Sequence, residues 1–446
     1  MKKVRITPIF KAGDPTNVRN YRPISVLSPF AQIFEKLLYY RLNNFVNSCN
    51  LISVHQYGFC KGLSTEHAVL TFTENIYKAL NNKHVTHSIF IDFSKAFDTV
   101  DHKILLGKLH SYGFRGVSLK LIQSYLCNRI HVTKIGSVFS SSRHLTRGIP
   151  QGSNLGPLLF LLYINDLPNI SCNFTPILFA DDVTINFHGS DPNVLNEVIH
   201  LEVSKIVNWS LSNRLTINYA KTFFMTFSNR PIQIPSIYMN NNHISNCSEG
   251  KFLGVTLDNK LKFKLHIDYI SVKISKSLGI LYRLREFLPH STLKNLYYSF
   301  VYPYILYCNL VWGGTFPTHL EPISILQKRI VRIINGASYN SHTNELFISD
   351  RILKLSDIHL FNLGVFMFNL PNRNQFQRTH LHYTRHRNDL LPDFSRLTLT
   401  THSLTASAVR FWNELPAHIR DSRSLPIFKK KLRNFLLDKY SAYVWA

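Results

Sequence analysis

Apolar residues fall at helical spacing across 29–44, where Ile33, Leu37, Leu38 and Leu42 predict one helix behind a turn-rich stretch, KAGDPTNVRNYRPIS. Residues 88–93 (SIFIDF) form a short β-rich run with Asp92 at its end, and 101–109 and 118–126 read as helices. From 147 to 167 a glycine-punctuated loop, RGIPQGSNLGP, passes into the apolar LLFLLYINDL, with Pro157 suited to a first helical turn. The two β-rich arms of ILFADDVTINF flank an Asp-Asp pair, the pattern of a hairpin carrying carboxylates at its tip. Asp191 then opens a helix with Leu195, Ile199, Val203 and Ile206 on one face. Residues 260–336 are largely helical and end on a capping glycine, Gly336. The stretch 371–388 is polar, basic and aperiodic, as a loop or linker would be, and SLPIFKKKLRNFLLDKY predicts a basic amphipathic helix.

Length and charge narrow the class. At 446 residues the chain exceeds one compact core, so two or three structural units are expected. Lys and Arg outnumber Asp and Glu by 51 to 26, a net charge of +25, and self-repulsion of that size is best relieved by a polyanion such as nucleic acid. The longest apolar stretch, 157–164, falls far short of the roughly 20 residues that span a bilayer, so no membrane partner is expected. The opening MKKVRITPIFKAGDP lacks a secretory h-region, and Cys49, Cys60, Cys127, Cys172, Cys247 and Cys308 form no CxxC pair. A reducing, intracellular compartment is therefore expected, with neither a disulfide framework nor a zinc knuckle.

Three acids carry the candidate chemistry: Asp92, and some ninety residues later Asp181 and Asp182. Each sits beside β-rich apolar sequence, where an unpaired charge is costly to bury. A divalent cation would remove that cost, and carboxylate oxygens suit Mg²⁺ or Mn²⁺. Phosphoryl transfer supplies a reason to gather acids, because two metals roughly 3.5–4 Å apart stabilise both the attacking and the leaving oxygen. Taken alone, an Asp-Asp pair also suits an ordinary hairpin turn.

FIDFSKAFDTVDH, RGIPQGSNLGPLLFLLYINDL, ILFADDVTINF, NRLTINYAKT and FLGVTLD stand in the order of the palm motifs of reverse transcriptases. Ahead of them, ITPIFKAGDPTNVRNYRPISVLSPFAQIFEKLL and QYGFCKGLSTEHA resemble the fingers motifs of LINE-type, jockey-like non-LTR retrotransposons. The resemblance implies an RNA-directed DNA polymerase in which Asp92, Asp181 and Asp182 are catalytic and hold two Mg²⁺ or Mn²⁺ ions. It also implies nucleotide contacts. Phe97 would lie under the incoming sugar, Gln151 and Gly152 beside the nucleotide, Lys221 near the triphosphate, and Arg22 and Lys61 against phosphates.

The implied architecture is α+β, a right-hand polymerase with an antiparallel palm sheet: fingers and palm over 1–260, a helical thumb-like region over 261–345, and a basic C-terminal region over 346–446 with a linker near 371–400. Lys328, Arg329 and Arg332 would follow a template-primer backbone. Partners would be an RNA template, a DNA primer and dNTPs, and the site of action the nucleus. Relatives often place Arg where this chain has Cys60, which motivates an alternative, a non-catalytic nucleic-acid-binding remnant. Complete elements of this type also encode an endonuclease ahead of the polymerase, and no such domain is expected here.

Overall fold

The computed structural model describes residues 2–370, 389–391, 396–397 and 403–441, so the linker expected near 371–400 lies outside the described residues apart from five positions. Strands run β1 Lys3–Phe10, β2 Tyr21–Val26, β3 Val85–Ile91, β4 Arg129–Ile135, β5 Val138–Phe139, β6 Arg143–Leu145, β7 Thr175–Phe179, β8 Asp182–Gly189, β9 Phe223–Phe227, β10 Ile237–Met239, β11 Asn242–Asn246, β12 Glu249–Phe252 and β13 Val255–Asp258. Helices α1 Pro29–Ser48, α2 Thr65–Asn81, α3 Ala96–Thr99, α4 His102–Ser111, α5 Gly116–Leu126, α6 Gly156–Ile164 and α7 Pro192–Ser212 intervene. The fold is α+β, in two compact units.

The first unit comprises Met1–Ala68, Thr86–Thr226 and Pro231–Cys247. Its larger sheet has the order β10-β11-β9-β3-β8-β7, in which β7 and β8 pair antiparallel and β11 runs parallel to β9. Every residue of β3 is buried, polar ones included. Those polar side chains find partners on the flanking strands: Ser88 Oγ donates to Asn186 Oδ1 (2.6 Å), Thr86 Oγ1 meets His188 Nδ1 (2.8 Å) and His87 Nδ1 meets Thr226 Oγ1 (2.9 Å). Burial holds the His87 imidazole down at about 4, so it stays neutral. Because these pairs need one alignment, they fix how β3 sits between its neighbours, and so where Asp92 emerges.

Helix α6 is apolar all round and correspondingly buried on nearly every side. The spacing that predicts α7 is observed: Asp191 caps it by accepting from Asn193 N (2.8 Å), and Leu195, Ile199, Val203 and Ile206 are buried. A second sheet joins β2, β1, β4 and β5, with β6 on β4. The turn-rich stretch 11–25 ends in β2, a strand its pattern does not predict, and β1 lies ahead of that stretch, equally unpredicted; the register of the pair sets Pro8 opposite Pro23.

Asp101 caps α4, accepting from Lys103 N (2.9 Å) and Ile104 N (3.2 Å), and its other oxygen meets Arg214 Nη1 at 2.5 Å. Burial pushes this carboxyl up, but the two backbone donors and Arg214 outweigh it and hold it below the usual range. A depressed carboxyl contributes stability above its unfolded pKa, about 3.9, that is lost as pH falls through the folded value. Asp101→Ala is expected to cost roughly 1–2 kcal/mol at pH 7, mostly as the lost cap because Arg214 is half-exposed. Thermal melts should show a deficit of a few degrees at pH 7. The deficit should shrink toward pH 3; one independent of pH would refute the electrostatic share.

The second unit comprises Val69–Val85, Phe227–Arg230 and Ser248–Ala446. It holds the β12–β13 hairpin and helices α8 Lys264–Leu284, α9 His290–Phe300, α10 Tyr302–Leu306, α11 Asn309–Trp312, α12 Pro317–Ile334, α13 Asn344–Ser349, α14 Leu355–Asn369, α15 Leu404–Glu414, α16 Ala417–Arg420 and α17 Leu425–Ser441. This division differs from a single boundary at 260, and the reason lies in α2. Phe72 sets its ring against Phe227 and Phe252 (5.9 and 5.2 Å), and the Glu74 carboxylate accepts from Leu404 N (2.7 Å) and Thr405 Oγ1 (3.2 Å) at the start of α15. The expected basic helix is α17, tied down by Tyr440, whose hydroxyl donates to Asp357 Oδ2 (2.6 Å) and accepts from Lys354 N (2.9 Å). Among the described residues no helix is long and apolar enough to cross a membrane.

Candidate active site

The sheet order brings the three acids together. Pairing of Phe179 with Asp182 leaves Ala180 and Asp181 as a two-residue turn between β7 and β8, while Asp92 directly follows β3, the strand beside β8. Burial raises the Asp181 carboxyl above the usual range, and the Asp92 charge adds to the rise. Asp182 is pushed up to about 6 by removal from water, then by Asp181 and Asp92, although one side of it stays wet. Three like charges this close favour either protons or a cation between them.

Asp92 is the best-anchored acid. Its Oδ2 accepts from Asn218 Nδ2 (3.0 Å) and stands 3.8 Å from Lys221 Nζ, and its backbone oxygen accepts from Asn218 N (2.8 Å). Arg22 on β2 and Lys11 just beyond β1 oppose the rise at both Asp181 and Asp182, which places two fingers-motif cations at the acid pair. Lys61 is exposed in the turn ahead of α2.

Gln151 is held at two points, and its loop at a third. Its Nε2 donates to Asp98 Oδ1 (2.9 Å), its backbone oxygen accepts from Ser25 N (2.7 Å), and two residues earlier Ile149 N donates to Phe97 O (2.8 Å). Gly152, at φ +103°, leaves room for the Ser25 carbonyl, which a Cβ would approach to 2.9 Å. Phe97 is half-buried and stacked on Phe160 with centroids 4.3 Å apart. Thus Asp92, Asp181, Asp182, Arg22, Gln151, Gly152, Lys221 and Phe97 all lie in the first unit.

Lys328, Arg329 and Arg332 belong to the second unit, on α12. Lys328 is exposed, Arg329 Nη2 donates to the Tyr339 hydroxyl (3.1 Å), and Arg332 Nε donates to the Ser341 carbonyl (2.8 Å). Arg332 is therefore partly committed within its own unit.

Sequence reasoning missed Lys11, Asp98 and Asn218. Asp98 lies in FIDFSKAFDTVDH and Asn218 in NRLTINYAKT, where the signal is a polar residue close to one with a clear role. Asn218 stands three positions before Lys221, and Asp98 directly after Phe97.

Among the described residues no three acid, His or Cys side chains converge tightly enough to cage a metal unaided. The donor set nevertheless fits Mg²⁺ or Mn²⁺: all-oxygen, anionic and partly wet, as suits ions that draw their remaining ligands from substrate phosphates and water.

Residues 9–257 match the family described as reverse transcriptase (RNA-dependent DNA polymerase). A Drosophila melanogaster protein, probable RNA-directed DNA polymerase from transposon X-element, is 28% identical over 88% of this chain and 42% of its own length. The RNA-directed DNA polymerase from mobile element jockey of the same fly is 30% identical over 80% of the chain and 40% of its own length. This chain thus spans about two fifths of the length of these relatives. A solved Candida tropicalis telomerase, in complex with a TWJ fragment of telomeric RNA, aligns with a TM-score of 0.45 at 11% identity, covering 98% of this chain and 64% of its own. With the family model matched over more than half of this chain, the chain belongs to the reverse transcriptase family, and it is similar to the polymerases of the X-element and jockey mobile elements.

Proposed function

We propose that this chain extends a DNA 3′-hydroxyl with dNTPs on an RNA template, using two divalent ions, Mg²⁺ or Mn²⁺, held by Asp92, Asp181 and Asp182. The observation that carries the reading is the convergence of these acids from two adjacent strands, faced by Arg22, Lys11 and Lys221. When bound, the ions would activate the primer hydroxyl and neutralise the departing pyrophosphate. Arg22 and Lys11 supply positive charge where the triphosphate would lie, and Lys61, in the second fingers motif ahead of α2, is exposed. Lys221 can deliver a proton to the leaving group. Asp98 and Ser25 hold Gln151 beside the nucleotide, Gly152 permits close backbone approach, and Phe97 forms the floor under the sugar.

Lys328 and, less freely, Arg329 and Arg332 offer phosphate contacts for a template-primer duplex. Such contacts carry little sequence preference and weaken with salt. The test is incorporation of labelled dNTPs on poly(rA)/oligo(dT) in Mg²⁺ and in Mn²⁺. Template-dependent incorporation supports the reading; binding of the hybrid without incorporation in either ion would replace it with the non-catalytic remnant that Cys60 motivates.

A further inference from the structure

The segment that includes Gln56 lies against the turn that presents Asp181. Leu178 N donates to His55 O (2.9 Å) and Tyr57 N to Leu178 O (2.8 Å), so residues 55–57 run as a short parallel bridge along β7. Gly58 continues so close to the turn that a Cβ there would come within 2.6 Å of Ala180 N. The other end of the segment is fixed by Asn165, the residue after α6, whose Oδ1 accepts from Ser53 N (2.8 Å) and whose Nδ2 donates to Leu51 O (2.7 Å).

Gln56 itself is 2% exposed, and its single carboxamide oxygen accepts twice, from Gly58 N (2.8 Å) and Ala180 N (3.1 Å). Both acceptor directions of that oxygen are thereby used. Ala180 has φ +54°, a left-handed conformation that a non-glycine residue adopts only when its surroundings enforce it. As the first residue of a two-residue hairpin loop, its N–H has no place in the β7–β8 ladder, yet Ala180 is buried. Without an acceptor at position 56 that donor would be orphaned in the interior, and the simplest relief is rotation of the Ala180–Asp181 backbone toward water.

We infer that Gln56 is a positioning residue: its carboxamide oxygen fixes the turn that aims Asp181 and Asp182 at Asp92. Among the described residues its side-chain hydrogen bonds go to the Gly58 and Ala180 amides and not to the acids' oxygens, so it acts through the backbone on which those acids stand. The inference rests on the polymerase reading for its functional consequence, but not for its structural one.

Two variants separate the acceptor from the bulk of the side chain. Gln56→Leu removes the oxygen and keeps the volume, whereas Gln56→Glu keeps oxygens that can accept from both amides. Each is measured in the full chain for Mn²⁺ binding without substrate, by electron paramagnetic resonance of free Mn²⁺, and for hydrogen exchange of the metal-free protein at peptides covering 178–183. Gln56→Leu is expected to bind Mn²⁺ roughly 10–100-fold more weakly. Its exchange should rise at 178–183 and stay unchanged in the distal half of β8. Gln56→Glu is expected to retain at least wild-type affinity and slow exchange.

Wild-type affinity and exchange in Gln56→Leu would overturn the inference, as would equal losses in both variants, since the acceptor would then be irrelevant. Should Gln56→Leu fail to fold, Gln56→Glu decides, by keeping or losing the protection of the turn. Should the wild type bind no Mn²⁺ without substrate, the exchange comparison decides alone: faster exchange at 178–183 in Gln56→Leu but not in Gln56→Glu supports the hold of Gln56 on the turn, and unchanged exchange overturns it, while the polymerase reading is judged separately by primer extension.

Discussion

Asp92→Asn is expected to slow primer extension by at least roughly 10³-fold, an activation cost near 4 kcal/mol, while leaving the melting temperature of the metal-free chain unchanged or slightly raised. The opposite directions follow from the same geometry. Asparagine keeps the shape of the side chain and can orient its oxygen toward Asn218 Nδ2, so the local scaffold survives. It removes one of three mutually repelling charges, a source of destabilisation when no cation is present. The same charge is what a divalent ion would need. Single-turnover extension and thermal melting in a chelator read the two effects separately. A large loss of stability with a proportionate loss of rate would make Asp92 a structural residue.

Lys221→Ala should have the next largest effect, lowering kcat by roughly 10²-fold, the lower end of what a positioned proton donor contributes, with the KM for dNTP changed much less. The side chain is 61% exposed and 3.8 Å from Asp92, a pair too open to water to matter for stability. Melting should therefore not move, which separates a role in the chemical step from a role in folding. If KM rises and kcat holds, Lys221 binds the triphosphate without assisting its departure. If neither changes, it is one solvated lysine among many in a basic chain.

What the sequence revealed and what it concealed divide along physical lines. The β7–β8 hairpin was legible because alternation, chain length and an acid pair at the tip agree, and α7 because Asp191 and its apolar face mark both start and orientation. The β1–β2 pair was not legible. Pro8 and Pro23 argue locally against strands, and β1 is completed by parallel pairing with β4, more than a hundred residues away. Gln56, Asp98 and Asn218 each owe their place to a hydrogen bond spanning 53 to 126 residues, which no local pattern encodes. The unit boundary eluded a linear reading for the same reason, since Phe72 and Glu74 join α2 to partners far along the chain.

The most direct test of the central claim measures hybrid binding and primer extension in the same samples, for the wild-type chain and Asp92→Asn, on an RNA template with a DNA primer in Mg²⁺ and in Mn²⁺. If the acids form a metal-dependent polymerase site, both proteins retain the hybrid and only the wild type extends it. Retention of the hybrid by both, with extension by neither in either ion, would contradict that account.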